Sequence, residues 1–266
     1  MKSNHEIAGY ALEALKKAGA DHAQCVVSTG KTDEFNVDGG QFSLMRSLFN
    51  SVIVLKALKN GKKGVITANR LDKEAVDNAV QACMAAAESS VADEAESIAD
   101  KEKNEAFSTG VLTPDRNRLF DRIQEYMDDV KRDYPKIMIE QLISKYTHSQ
   151  RVFMNTNGVE FEHTRGSYDI STMFSAHEGE QTSSFNGYGA EFTSLDTKLI
   201  DIGMQRILYA ESEKQLNTKP YSGKFTGKLL ITPACLSDIL MAAFSNFISD
   251  GTIMDGTSPW ITLLGK

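Results

Sequence analysis

Two Asn-Gly dipeptides, Asn60-Gly61 and Asn157-Gly158, constrain this chain more than any other local feature. A two-residue type I′ turn needs positive φ at both central positions, and Asn-Gly supplies it at low cost. Where such a pair sits between β-rich runs, it dictates an antiparallel hairpin. Asn60-Gly61 therefore predicts pairing of residues 52–59 with 62–69. Asn157-Gly158 predicts a corner between residues 151–155 and 159–165.

The flanking segments extend this pattern. Residues 23–28, 33–37, 41–48 and 51–59 read as short strands separated by Gly30-Lys31, Asp38-Gly39-Gly40 and Phe49-Asn50. Farther along, 137–147, 151–155, 159–165, 168–177 and 181–188 read as a meander. Helical periods lie between these groups. Ser3-Asn4-His5-Glu6 is a capping box, followed by the stripe Ala8, Ala11, Leu12, Leu15, Ala18 and a stop at Gly19. Asp72 caps a second helix with Val76, Val80, Met84 and Ala87 toward the sheet. Thr113-Pro114 opens a third, with Leu119, Ile123, Tyr126, Val130 and Tyr134 on one side and Pro135 as its stop. Ser194 is expected to cap a fourth, with Ile200, Met204, Ile207 and Leu208 inward. Between the two strand groups, residues 88–104 are acidic, rich in alanine and serine, and without apolar period, which marks a surface connection. The expected fold is α+β: antiparallel sheets with helices packed on their faces, in two domains, residues 1–104 and 105–266.

Composition narrows the function. A length of 266 residues, 24% charged and 41% apolar, suits a globular protein with a substantial core. No run approaches the ~18 apolar residues of a membrane span. The first residues read as a capped amphipathic helix, so the expected compartment is the cytoplasm. Cys25, Cys83 and Cys235 are too few and too scattered for a disulfide framework or a metal knuckle, and reduced, mostly buried thiols are expected. A net charge of -7 argues against a phosphate backbone as partner. Lys56, Lys59, Lys62 and Lys63 form the one basic cluster and read as solvated edge protection around a hairpin.

The stretch from 227 to 246, GKLLITPACLSDILMAAFSN, carries the functional question. Leu229, Leu230 and Ile231 predict a buried strand entering Thr232-Pro233, a helix start. Leu236, Ile239, Leu240, Ala243 and Phe247 form one stripe of that helix, and Met241, Phe244 and Ile248 make the opposite side apolar too. A helix apolar all round is expected to be buried. The end of the sequence, with Trp260, Ile261, Leu263 and Leu264, reads as a strand whose partners lie elsewhere, so the chain is expected to be a piece of a longer protein.

The segments AGADHAQCVVSTGKTDEFNVDGG, NGKKGVITANRLDKEAVDNAVQAC, VFMNTNGVEFEHTRGSYDISTMFSA and YSGKFTGKLLITPACLSDIL together resemble the TldD/PmbA family, the modulators of DNA gyrase. The resemblance spans nearly the whole chain and rests on order and spacing. It implies a cytoplasmic two-subunit metallopeptidase system acting on unstructured or modified peptides. One subunit kind carries a helical HExxxH motif for zinc; the PmbA or TldE kind lacks it. Overlaying that motif places Met241 and Asn246 at the histidine positions and Ala242 at the glutamate position. Thioether, methyl and carboxamide cannot replace imidazole and carboxylate around zinc. The resemblance therefore implies a non-catalytic subunit with no catalytic or metal residues of its own, zinc only in a TldD-like partner, and either that partner or a homo-oligomer as the assembly. A cysteine-bearing segment of the family falls beyond Lys266.

The remaining candidates read more simply. His177-Glu178 is the only His-Glu dipeptide and reads as a strand-end surface pair. Strand alternation sends Glu160 and Glu162 to one face and His163 to the other. His5, His22 and His148 stand alone as exposed polar residues. Asn186-Gly187-Tyr188-Gly189 has turn character without phosphate-loop spacing. Phe174, Phe185, Tyr188 and Phe192 read as core. Two functional alternatives stay open: an active peptidase using unrecognised residues, and a module that captures extended peptides at a sheet edge.

Overall fold

The computed structural model describes residues 3–219 and 222–265, and the chain folds as two compact units, Met1–Thr218 and Lys219–Lys266. In the first unit the order is α1 (Asn4–Lys17), β1 (His22–Asp38), β2 (Gln41–Lys59), β3 (Lys62–Ala68), α2 (Lys73–Ser89) and β4 (Glu105–Gly110). It continues with α3 (Arg116–Asp133), β5 (Ile137–Asn155), β6 (Glu160–Glu178), β7 (Gln181–Thr182), β8 (Asn186–Phe192) and α4 (Gln205–Lys214). The strand order is β3-β2-β1-β5-β6-β4, with β7 and β8 also on β6. The α+β class is as expected, but the strands form one sheet, and β4 runs parallel to β6.

Both Asn-Gly corners form. Asn60 and Gly61 have φ of 52° and 72°, and Lys59 pairs with Lys62 across them. At the second corner, between β5 and β6, only Gly158 has positive φ, 87°, and the Asn155 amide donates to the Val159 carbonyl at 3.1 Å, so the corner is a three-residue turn over 156–158 with glycine in the left-handed position, not the two-residue type I′ turn expected. The expected breaks at Gly30-Lys31 and Phe49-Asn50 do not exist: β1 and β2 run through them, with Gly30 opposite Asn50 and Lys31 opposite Phe49. Residues 148–150 are likewise strand within β5. A single glycine or a polar pair does not end a strand when a neighbouring ladder holds it on either side.

One long sheet carries two cores. Cys25 and Val27 of β1 pack with Ile7, Leu15, Val76 and Cys83 of α1 and α2. Phe35 and Val37 of the same strand pack with Leu119, Ile123 and Tyr126 of α3 and with Tyr209 of α4. All four β1 residues have the same parity, so both cores occupy one face of the strand at its opposite ends. Both cores draw residues from either side of the expected domain boundary at 104/105, Phe35 and Val37 in one and Val152 in the other, and β1 is hydrogen-bonded to β5 along most of its length.

Local signals explain most helix ends. Ser3 and Glu6 form the reciprocal capping box, and Asp72 accepts from the Ala75 amide. Helix α3 starts later than Thr113-Pro114 predicts, since the Asp115 carboxylate takes the cap by accepting from the Arg118 amide. Ser194 caps no helix; its hydroxyl meets Asp196, and α4 begins only at Gln205. Ile200 is buried in a short 3-10 turn, whereas Ile207 is exposed. The acidic connection is a surface segment with a partner. Glu96 pairs with Lys56 and Lys63, and Glu88 with Lys59, so its carboxylates neutralise the basic cluster.

The second unit contains α5 (Pro233–Phe247), α6 (Asp250–Met254) and a 3-10 turn over Ile261–Leu263. The strand expected at Leu229 to Ile231 is irregular backbone, with Leu229 84% and Leu230 88% exposed. The strand expected around Trp260 is that 3-10 turn; Trp260 instead stacks on Phe247 with ring centroids 4.8 Å apart. Nor is α5 buried: Leu236, Ile239, Leu240, Met241, Phe244 and Ile248 are all exposed. An apolar triplet becomes a strand only beside a hydrogen-bonded neighbour, and an apolar helix is covered only where another element supplies a face. Among the described residues no helix is long and apolar enough to cross a membrane.

Candidate functional site

Helix α5 carries the three positions singled out by the sequence. Pro233 stands at its start, although the Thr232 hydroxyl makes no cap bond. The Met241 side chain is 60% exposed. The Asn246 amide folds back on its own helix, its Nδ2 donating to the Ala242 carbonyl at 2.7 Å. A thioether, a methyl and an amide committed to backbone do not fit a zinc ion. Among the described residues no three His, Cys, Asp or Glu side chains gather as a metal site.

The histidines disperse as alternation demands. Glu160 faces the α1 side, where His5 Nε2 lies 2.7 Å from its carboxylate, so His5 is not solitary. His163 faces away, stacked on Phe107 with centroids 4.5 Å apart and Nε2 2.8 Å from Thr109 Oγ1. His177 lies 2.8 Å from the Ser175 hydroxyl, which donates to Glu140. Cys25 and Cys83 are buried; burial pushes their thiols up to about 12 and about 11, which keeps them protonated and unreactive. Cys235 is exposed, against expectation.

Two other features stand out. On the face opposite the helices, Arg46, Glu34, Lys145, Asp169 and Glu191 are directly opposed across β2, β1, β5, β6 and β8. Arg46 lies 2.8 Å from Glu34, and Lys145 lies 3.7 Å from Asp169. Burial pushes the Asp169 carboxyl up to about 6, Lys145 pulls it down, and the nearby Glu191 and Glu34 carboxylates raise it. Sequence reasoning missed this row because each member sits on a different strand; only the register aligns them.

This pKa sets a pH dependence. An acid whose folded pKa exceeds its unfolded value costs nothing below the unfolded pKa and its full penalty above the folded one. The Asp169 penalty should therefore grow between pH ~4 and pH ~6. Asp169→Asn should leave stability near that of the parent at pH 4 and exceed it by about 1 to 2 kcal/mol at pH 7.5, after allowance for solvent screening. Urea titrations of both proteins at the two pH values measure the difference.

The second feature is a cavity of about 920 Å³ on the helical face, between the starts of α1 and α2 and the middle of β1 and β2. Ile7, Tyr10 and Val76 give it an apolar lining, and Phe49, Asn50 and Asn69 also border it. Asn4 is buried there and donates to Thr29 Oγ1 at 2.9 Å and to the Gln150 carbonyl at 3.2 Å. Lys73 pairs with Asp77 at 2.6 Å and sits 5.3 Å over the Tyr10 ring, leaving little net charge at that side of the cavity. The sequence held one clue to it: the Asp72 cap directs the chain away from the sheet just after β3.

No family model matches the sequence, and no curated protein does. Several solved structures match the fold. TldE from Thermococcus kodakarensis superposes with a TM-score of 0.70 at 11% identity, over 96% of this chain and 57% of that one. A proposed modulator of DNA gyrase from Thermotoga maritima gives 0.67 at 14%, over 97% and 58%. Another from Bacteroides thetaiotaomicron gives 0.62 at 17%, over 83% and 52%. The chain thus spans a little over half the length of the proteins it matches. At such identities what is shared is architecture, and this chain has the fold of TldE and of those DNA gyrase modulators, the fold that its resemblance to the TldD/PmbA family implies.

Proposed function

We propose that this chain is a non-catalytic subunit of the PmbA/TldE kind in a cytoplasmic metallopeptidase system of the TldD/PmbA type. Its partner is a TldD-like, zinc-bearing subunit, with a homo-oligomer as the other assembly, and the system acts on unstructured or modified peptides. The observation that carries the reading is the composition of α5: Met241, Ala242 and Asn246 stand where a peptidase helix needs two imidazoles and a carboxylate. The TldE fold supports it at the level of architecture. Neither nucleic acid nor membrane is part of the proposal, and the net charge of -7 agrees with the former.

The test is mixing. This chain alone should retain no tightly held zinc after dialysis and should not cleave an unstructured peptide. Added to a homologue that carries the HExxxH motif, it should form a stoichiometric complex whose cleavage is abolished by a chelator. Zinc-dependent turnover by this chain alone overturns the reading.

A further inference from the structure

We propose that residues 41–51 of β2 form a docking edge for an extended peptide, which adds as a strand in the slot that β3 vacates. Among the described residues the edge is open. Strand β3 pairs with β2 only from Ile53 to Lys59; the chain then passes Ser51, whose hydroxyl donates to the Asn69 carbonyl, and turns away into α2. Among the described residues no strand pairs with the outer side of residues 41–50. Main-chain donors and acceptors along such an edge recognise an extended backbone.

The side chains specify the occupant. Met45 and Phe49 are 73% and 75% exposed, and Leu44 and Leu48 are exposed on the other face, so both faces of the edge ask for apolar partners. At its centre Arg46 ends the charged row, in which signs alternate over the four members nearest this edge, Arg46, Glu34, Lys145 and Asp169, before Glu191 repeats the negative sign at the far end. Continuing that alternation outward calls for an acidic residue opposite Arg46. A second copy of the chain is a poorer fit: antiparallel pairing over all of residues 41–51 opposes Arg46 to its own equivalent, and like charges directly opposite disfavour a pair. Phe49, Asn50 and Ser51 also border the 920 Å³ cavity, so one end of a strand in this slot reaches the cavity lined by Ile7, Tyr10 and Val76. The occupant is therefore an apolar, extended peptide with an acidic residue near its middle and an apolar residue at one end.

This inference does not rest on the partner-subunit reading, because binding is measured on this chain alone. The probe is a fluorescein-labelled peptide of about eight valine and leucine residues with a central glutamate and a lysine tail for solubility, followed by anisotropy. Exchanging the glutamate for lysine, or methylating alternate backbone nitrogens, should each weaken binding about tenfold or more. Met45→Lys combined with Phe49→Ser, both at exposed sites, should do the same without changing the thermal midpoint. Equal binding of the N-methylated peptide, or unchanged binding by the double variant, overturns the proposal. So does a concentration-dependent dimer of the chain that the double variant abolishes, since the edge then belongs to a second copy.

Discussion

Gly64→Ala is expected to destabilise the protein by about 3 kcal/mol, at the upper end of what overpacking costs. Gly64 lies in β3 directly under α2. A Cβ added there would stand 2.0 Å from the Cys83 carbonyl oxygen and 2.6 Å from the Ala87 nitrogen. Both are backbone atoms of a helix, so no rotamer change makes room; α2 must move off the sheet. That movement also weakens the contacts of the Cys83 thiol, which donates to the Gly64 carbonyl at 3.4 Å and lies 3.7 Å from the Leu55 carbonyl. The damage would spread to Val76, Ala79, Val80 and Met84, the face that α2 contributes to the first core. Gly9→Ala in α1 is the control, because nothing lies within 4 Å of its added Cβ, and relief of glycine's entropy cost should stabilise by about 0.5 to 1 kcal/mol. Urea midpoints of the two variants should move in opposite directions. A loss below about 1 kcal/mol for Gly64→Ala would mean that α2 packs more loosely than this structure has it.

Phe174→Ala should cost about 3 to 5 kcal/mol, the range for truncating a fully buried aromatic. Phe174 is completely buried and meets Tyr209 edge-on, with centroids 4.5 Å apart at 74°. Tyr209 is in turn hydrogen-bonded to Tyr126 and tilted against Tyr134, so one ring deletion exposes a cluster shared by β6, α3 and α4. Phe185 provides the contrast. Its place in the meander groups it with Phe174 as core, yet it is 70% exposed, and Phe185→Ala should fall within about 0.5 kcal/mol of the parent. Thermal and urea unfolding of both variants decide the matter.

What separates those two phenylalanines is not visible in their spacing. Both lie in runs that read as strand, but Phe174 is inside β6 with neighbours on both sides, whereas Phe185 falls in the gap between β7 and β8. Alternation predicts a face only while the ladder continues. For the same reason the long strands read as shorter ones: Gly30 and Asn50 look like turn residues in isolation, but each is the other's partner in the β1–β2 ladder.

The sequence alone determined the features whose physics is local. The capping box at Ser3, the cap at Asp72, the left-handed stop at Gly19 and the two Asn-Gly corners depend on residues within a few positions of one another, and all are present. The buried stripes of α1, α2 and α3 follow from helical period, and so does the separation of Glu160 from His163 by strand alternation. The composition of the α5 motif positions was also plain, since it asks only which side chains stand there. Tertiary structure decided what depends on partners distant in the chain. It merged the expected sheets into one and laid two cores end to end on β1. It left α5 and Leu229 to Ile231 exposed although their composition is that of a core. It also set the register that places Arg46, Glu34, Lys145, Asp169 and Glu191 in one row, buried Asp169 and so raised its pKa, and among the described residues left 41–50 without a strand on their outer side. A single-residue slip of any strand would have turned those side chains to the other face, which is why pairing, and not residue type, determines whether the row exists.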